Sequence, residues 1–182
     1  AMFETQPNTF YNRDFDRPPR ASHAILLNQA INLFNQFRWS GMLYKARNIL
    51  LRRIHTLFDL DCLPQNSIRA RRYGGLKPVS LDRICGSLGR TGDFDNRFHP
   101  LDDRIRDRWV SIAMARKQNI PLAPVELIQV GDRYFVKDGH HRISVARAMG
   151  ESAIDAEIII WEVVGNLPWD VKPAVRALPQ IA

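Results

Sequence analysis

Apolar residues recur at every third or fourth position over residues 22–58, as expected for an amphipathic helix. The first members of this series are Leu26, Ala30, Leu33 and Phe37. Ser40 and Gly41 interrupt the pattern, so they could divide the segment into two helices. In a continuous helix, Arg38, Lys45 and Arg52 would share one side, which could meet phosphates or water.

After residue 75, segments with the hydrophobic pattern of strands alternate with segments that have the pattern of helices. The predicted elements are a strand at 79–84, a helix at 101–118, a hairpin of strands 125–130 and 133–137 around Gly131 and Asp132, a short helix with Ile143, Ala146 and Met149, and a strand at 155–161. The order β, α, β, β, α, β predicts an α+β fold with a small mixed sheet, preceded by an N-terminal helical segment.

The remaining segments carry turn residues and little periodicity. Pro64, Asn66, Gly74 and Gly75 predict a connector over residues 63–75, and three glycines predict a loop over residues 86–100. The predicted organisation is a flexible arm at 1–20, a basic helical appendage and linker at 21–75, the α+β domain at 76–162 and a C-terminal tail at 163–182.

Composition is that of a soluble chain. The 182 residues are 45% hydrophobic, which suffices for one compact core, and no uncharged apolar run is long enough for a membrane span. The polar N-terminal segment lacks the apolar centre of a secretory signal, so we expect a cytoplasmic protein without membrane contact. Cys62 and Cys85 stand apart and indicate neither a disulfide framework nor a zinc site.

Positive charge is concentrated in the first half of the chain. Residues 1–92 hold 14 Lys and Arg against 6 Asp and Glu, whereas residues 93–182 hold 12 against 13. We interpret Arg52, Arg53, Arg71 and Arg72 as candidate contacts to nucleic acid or another polyanion. The alternative is a solvated helix face followed by a basic linker.

The segment Asp138-Gly139-His140-His141-Arg142 joins a predicted strand to a predicted helix. Backbone N–H groups in the first turn of a helix have no helical partners, and the helix dipole places partial positive charge there. Gly139 would let a phosphate approach the backbone, Arg142 could hold two of its oxygens, and the histidines could bind it or transfer protons. The alternative is an N-cap at Asp138 with two surface histidines.

A second candidate site lies in the loop GRTGDFDNRFHP. Asp93 and Asp95 are spaced so that both carboxylates could face one magnesium ion, which commonly binds one or two carboxylates together with substrate phosphates. In the alternative, these side chains satisfy the backbone of the loop while Phe94 and Phe98 enter the core.

The run RYFVKDGHHRISVARAMGESAIDAEI, with VSLDRI about fifty residues upstream, resembles the ParB/sulfiredoxin-like superfamily, whose members are catalogued as ParB-like nuclease domains. The resemblance covers residues 77–161 and implies that this turn holds phosphates. Sulfiredoxins carry Gly-Cys-His-Arg here with a nucleophilic Cys, whereas this chain has His140. Partitioning ParB proteins carry Gly-Glu-Arg-Arg and continue into a DNA-binding domain, for which about twenty residues after the last strand are too few.

The turn of the free-serine kinases, Asp-Gly-His-x-Arg, is more similar to this sequence. That similarity implies a nucleoside triphosphate with magnesium and a carboxylate base, for which Asp93, Asp95 or Asp138 could serve, with His140 and His141 as further catalytic candidates.

Three hypotheses follow from these patterns. The first is a DNA-associated module that binds a nucleotide or nucleic acid at the turn. The second is a small magnesium-dependent enzyme, either a nuclease or a phosphotransferase. In the third, the N-terminal helices dock on another subunit, which includes assembly of a homo-oligomer.

Overall fold

The computed structural model describes residues 20–52, 56–89, 91–165 and 167. In this part of the chain, three α-helices form at Arg20–Leu50 (α1), Arg106–Lys117 (α2) and His140–Ala148 (α3). The strands are Phe58–Asp59 (β1), Ile68–Ser80 (β2), Ile84–Ser87 (β3), Val125–Val130 (β4), Arg133–Asp138 (β5) and Ala153–Val163 (β6). The predicted arm and tail fall almost wholly on residues 1–19 and 168–182, which lie outside the described residues.

The strands form one mixed sheet in the order β1-β3-β5-β4-β6-β2. β4 pairs antiparallel with β5 and parallel with β6, while β5 and β1 both pair parallel with β3. The two-residue turn between β4 and β5 begins at Gly131, whose φ of 62° suits a hairpin turn. The predicted α+β class, with a mixed sheet and an N-terminal helix, is confirmed.

The central strands are buried on both faces. Leu127 and Val136 belong to the core shared with the three helices, whereas Ile128 and Phe135 pack into a smaller cluster with Leu60. Successive residues of a strand point to opposite faces, so these neighbours serve two separate cores. The helices therefore cover one face of the sheet, and the segment after β1 helps to cover the other.

The predicted connector at 63–75 is wrong for residues 68–75, because they belong to β2. This edge strand pairs antiparallel with β6 along its length and has a register shift between Tyr73 and Gly75. A side chain at Gly74 would lie 2.9 Å from Ile158 Cγ2, which explains the glycine. The predicted strand at 79–84 is also wrong, since β2 ends at Ser80 and a 3₁₀ turn separates it from β3.

Helix α1 is continuous through Ser40 and Gly41, so the suggested division into two helices is wrong, and the helix ends at Leu50 instead of residue 58. Its inner face places Ala30 and Phe34 in the main core, where Phe34 meets the Trp109 ring edge-on at 5.3 Å. Gly41 has a packing role, because a Cβ there would lie 2.5 Å from His99 Cβ. The helix and the 91–104 loop therefore touch almost backbone to backbone.

The outer face of α1 carries large apolar side chains, among them Trp39 and Leu50, which are 66% and 82% exposed. Arg38, expected on a basic face, instead makes an ion pair with Asp103 before α2. Assembly through this helix stays a prediction. Among the described residues, no helix combines the length and the apolar character needed to cross a bilayer.

Gly41→Ala should destabilise the protein, although the same change in an open helix usually stabilises it by about 0.5–1 kcal/mol. The new methyl group would overlap His99, whose side chain is held in place, so we expect a loss of about 1–3 kcal/mol in the free energy of unfolding. Chemical denaturation measures this, with Gln36→Ala in the same helix as the control. Equal or greater stability of Gly41→Ala would contradict the packing described here.

Candidate functional site

The predicted strand-to-helix junction is present: β5 ends at Asp138 and α3 begins at His140. Gly139 between them has φ 100° and ψ 20°, a left-handed conformation that residues with a side chain rarely adopt. A Cβ at this position would lie 2.5 Å from Val125 Cγ1. Backbone angle and space therefore both require glycine, and the helix begins without a capping side chain at this position.

A pocket of about 400 Å³ opens at the start of α3. Its floor is the turn itself, one wall is α2, and the other wall is the segment that leads into β4. The polar contribution of α2 comes from Arg108 and Ser111. The apolar lining is Ile112, Ala115, Leu122 and Ala123. The pocket thus has an apolar side and a cationic end next to a helix N-terminus.

Arg142 lies at this pocket, but its guanidinium is occupied by the protein. Nη2 donates to Asp138 Oδ2 at 2.5 Å, and Nη1 donates to the carbonyl oxygens of Ala123 and Pro124. Its side chain is 16% exposed. The expected grip of Arg142 on phosphate oxygens is therefore not what this geometry shows. Arg142 ties α3 to β5 and to the segment before β4.

The two histidines of the turn are buried and both line the pocket. His140 Nε2 lies 2.6 Å from Ser87 Oγ at the end of β3, and its ring stacks on Phe94 at 6.2 Å. His141 meets the same Phe94 ring edge-on at 5.5 Å. These contacts fix both imidazoles, and their predicted role in proton transfer stays a prediction.

Helices α2 and α3 are joined by a buried hydrogen-bond chain. Trp109 Nε1 donates to Ser144 Oγ at 2.8 Å, and the Ser144 hydroxyl donates to the Phe98 carbonyl at 2.7 Å. The two helices form adjacent sides of the pocket, so this chain sets its width. Hydrogen bonds of this kind are more effective in a dry core than in water.

Asp93 and Asp95 differ in their surroundings. Asp95 is fully buried, and its oxygens accept hydrogen bonds from the backbone N–H groups of Arg97 and His99 and from the His99 ring. Asp93 is partly exposed and 3.8 Å from Arg104. No cluster of three potential metal ligands occurs among the described residues. Asp95 serves the loop, as the alternative interpretation expected, and magnesium binding stays a prediction.

Of the four predicted nucleic-acid contacts, Arg71 and Arg72 do not share one face. Arg71 lies 4.5 Å over the Trp161 ring, and Arg72 pairs with Glu162 at 3.2 Å. Because they are consecutive in β2, their side chains point to opposite faces of the sheet. Arg52 is exposed just after α1, and Arg53 lies outside the described residues.

Arg108 was not among the site residues predicted from the sequence. It is exposed on α2, lines the pocket, and has no ion pair or hydrogen bond from its guanidinium to any described residue. A signal existed, since Arg108, Ser111, Ile112 and Ala115 follow the i, i+3, i+4, i+7 spacing of one helix face. The spacing alone does not say what this face contacts, and the structure places it at the pocket.

Comparisons with known proteins provide little information about the function of this chain. No protein-family profile and no curated protein matches the chain. Among solved structures, it is similar to the sulfiredoxin from Arabidopsis thaliana, with 20% sequence identity and a TM-score of 0.36. That likeness covers 46% of this chain and 83% of the sulfiredoxin chain. At this score it says nothing about function.

Arg142→Lys tests whether this residue braces the turn. Lysine keeps the charge but cannot reach Asp138 and two carbonyl groups together, so we expect the ligand-free protein to lose about 1–3 kcal/mol in unfolding free energy. Equilibrium denaturation without added anions provides the measurement. The control is Arg106→Lys, at an exposed position of α2. Unchanged stability would show that the guanidinium is not needed to hold the turn.

Proposed function

We propose that this chain binds the phosphate groups of a nucleotide or nucleic acid in the pocket where α3 begins. The observation that carries the proposal is the meeting of three features in one cavity: the α3 N-terminus, Gly139, and the Arg108 guanidinium. A helix N-terminus favours anions, and an arginine can donate two hydrogen bonds to a phosphate. Gly139 lines the same cavity, and the close packing of Val125 leaves no room there for a residue with a side chain.

In this proposal, Arg108 and Arg142 have roles that differ from those expected from the sequence. Arg108 supplies the cation that meets the phosphate, and Arg142 keeps the turn in shape through Asp138. Ile112, Ala115 and Leu122 offer an apolar wall to the remainder of the ligand. His140 and His141 line the same pocket, with their rings held against Phe94 and that of His140 bonded to Ser87.

The size of the site favours a mononucleotide over a polymer. A pocket of about 400 Å³ is within the range of small-molecule sites. Of the arginines expected to contact a nucleic acid, Arg71 and Arg72 point to opposite faces of β2, and Arg72 is paired with Glu162. Association with DNA would therefore need further contacts. A magnesium ion could arrive with a triphosphate, for which Asp138 is the carboxylate that lines the pocket.

The test is binding of nucleoside di- and triphosphates, with and without magnesium, measured by calorimetry and by thermal shift. A ligand at 100 times its dissociation constant adds about 2.7 kcal/mol to stability. Arg108→Gln should weaken binding at least roughly tenfold, because it removes a charge-assisted hydrogen bond. The matched control is Arg106→Gln, an exposed arginine on the same helix that does not line the pocket.

Equal affinity of Arg108→Gln and Arg106→Gln, or binding of no nucleotide, would contradict the proposal. Release of inorganic phosphate in the same mixtures distinguishes the enzyme hypothesis. Turnover that requires magnesium and is lost in Asp138→Asn, with binding retained, would favour a phosphotransferase or nuclease over a binding module.

A further inference from the structure

A second cavity, of about 230 Å³, lies at the opposite end of α3 from the turn. Phe37 of α1, Arg97 and His99 of the 91–104 loop, and Arg147 near the end of α3 contribute to its lining. It shares no lining residue with the pocket at the turn. Two arginines and a histidine, from the 91–104 loop and from α3, therefore line one small cavity.

His99 is held in a fixed orientation there. Its Nδ1 lies 2.8 Å from Oδ2 of the fully buried Asp95, and its ring packs against Phe37 at 4.5 Å and Tyr44 at 5.7 Å. The absence of a side chain at Gly41 allows α1 to press against it. With Nδ1 occupied, Nε2 is the ring atom left to meet a ligand, and it makes no hydrogen bond to the residues that the structure describes.

Arg147 contributes a buried donor that lacks an acceptor. Its Nη2 donates to the Leu81 carbonyl and its Nη1 lies 3.7 Å from Asp82, whereas the buried Nε–H meets no acceptor within the described part of the chain. Buried donors are normally paired with protein or with ordered water or ions. Burial lowers the pKa of Arg147, and the nearby charge of Arg97 adds to that effect.

Arg97 is also available to a ligand. Its guanidinium carbon lies 4.8 Å over the Tyr44 ring, and within the described residues it makes neither an ion pair nor a side-chain hydrogen bond. Two guanidinium groups that face one cavity repel each other, and an anion between them would relieve that repulsion.

Two carboxylates line the same cavity, and each has an arginine partner. Glu151 pairs with Arg116, which does not line the cavity. Asp82, 94% exposed at the rim, lies 3.7 Å from Arg147. Asp95 lies behind His99 and is used by the loop. Arg97 therefore supplies a charge that no carboxylate among the described residues pairs with.

We propose that Arg97, His99 and Arg147 form a second site, which binds a small oxyanion such as phosphate or a short carboxylate. The guanidinium groups of Arg97 and Arg147 donate to its oxygens, and His99, held in place by Asp95, forms the adjoining wall.

The test is a titration of the full chain with inorganic phosphate, and separately with acetate, followed by NMR of the histidine rings and arginine Nε–H groups. We expect saturable shifts at His99, Arg97 and Arg147, and the more effective of the two anions identifies the ligand class. Arg97→Gln should weaken this response at least roughly tenfold, whereas Arg97→Lys should keep part of it.

Arg106→Gln is the matched control, because this exposed arginine of α2 lines neither cavity and its loss should leave the His99 response unchanged. Shifts at His99 that fail to saturate with either anion, or that are the same in Arg97→Gln and the unsubstituted chain, would overturn the proposal. Thermal denaturation of Arg97→Gln confirms that the exposed substitution leaves the fold intact.

Discussion

The shape of the turn at the start of α3 depends on the hydrogen bonds of the Arg142 guanidinium. Asp138 at the end of β5 and the carbonyls before β4 all accept hydrogen bonds from it, so one side chain joins the junction of β5 and α3 to a segment 18 residues earlier in the chain. A charge this poorly exposed must be paired, because an uncompensated one would cost several kcal/mol. The turn keeps its shape through this pairing, and Gly139 makes the shape possible through its close contact with Val125.

Helix α3 is the element around which both candidate sites are arranged. Its first residues line one pocket and Arg147, near its last turn, lines the other. The hydrogen bonds of Ser144, at its middle, connect it to α2 and to the 91–104 loop. A ligand at either end would therefore meet elements that share one rigid support. Each pocket also takes an arginine from outside the helix, Arg108 at one end and Arg97 at the other.

Some of this was predictable because the signals are local. Turn chemistry at Gly131 and Asp132 indicates the hairpin, and Asp138-Gly139 followed by helical spacing indicates the junction. Strand β2 lacked such a signal, because an edge strand exposed on both faces shows no alternation of apolar and polar residues. Its glycines are also typical of a connector. Its basic residues have a structural explanation, since charges and proline on an edge strand prevent pairing with other chains.

The site residues whose surroundings differ from the expectation share one physical cause. The role of Arg142 depends on carbonyl groups about eighteen residues away, and that of Asp95 on the amides of its own loop. A pattern of side chains does not show where backbone groups lie. The sequence therefore does not reveal which charged side chains bond to the protein's own backbone. The same holds for Arg108, whose importance comes from the pocket that faces it.

The most direct measurement is a crystal structure of the chain grown with a nucleoside triphosphate. We predict that the phosphate oxygens accept hydrogen bonds from the first backbone N–H groups of α3 and from Arg108. Arg142 should stay bonded to Asp138. An empty pocket, or a phosphate held by an Arg142 that has left Asp138, would contradict it.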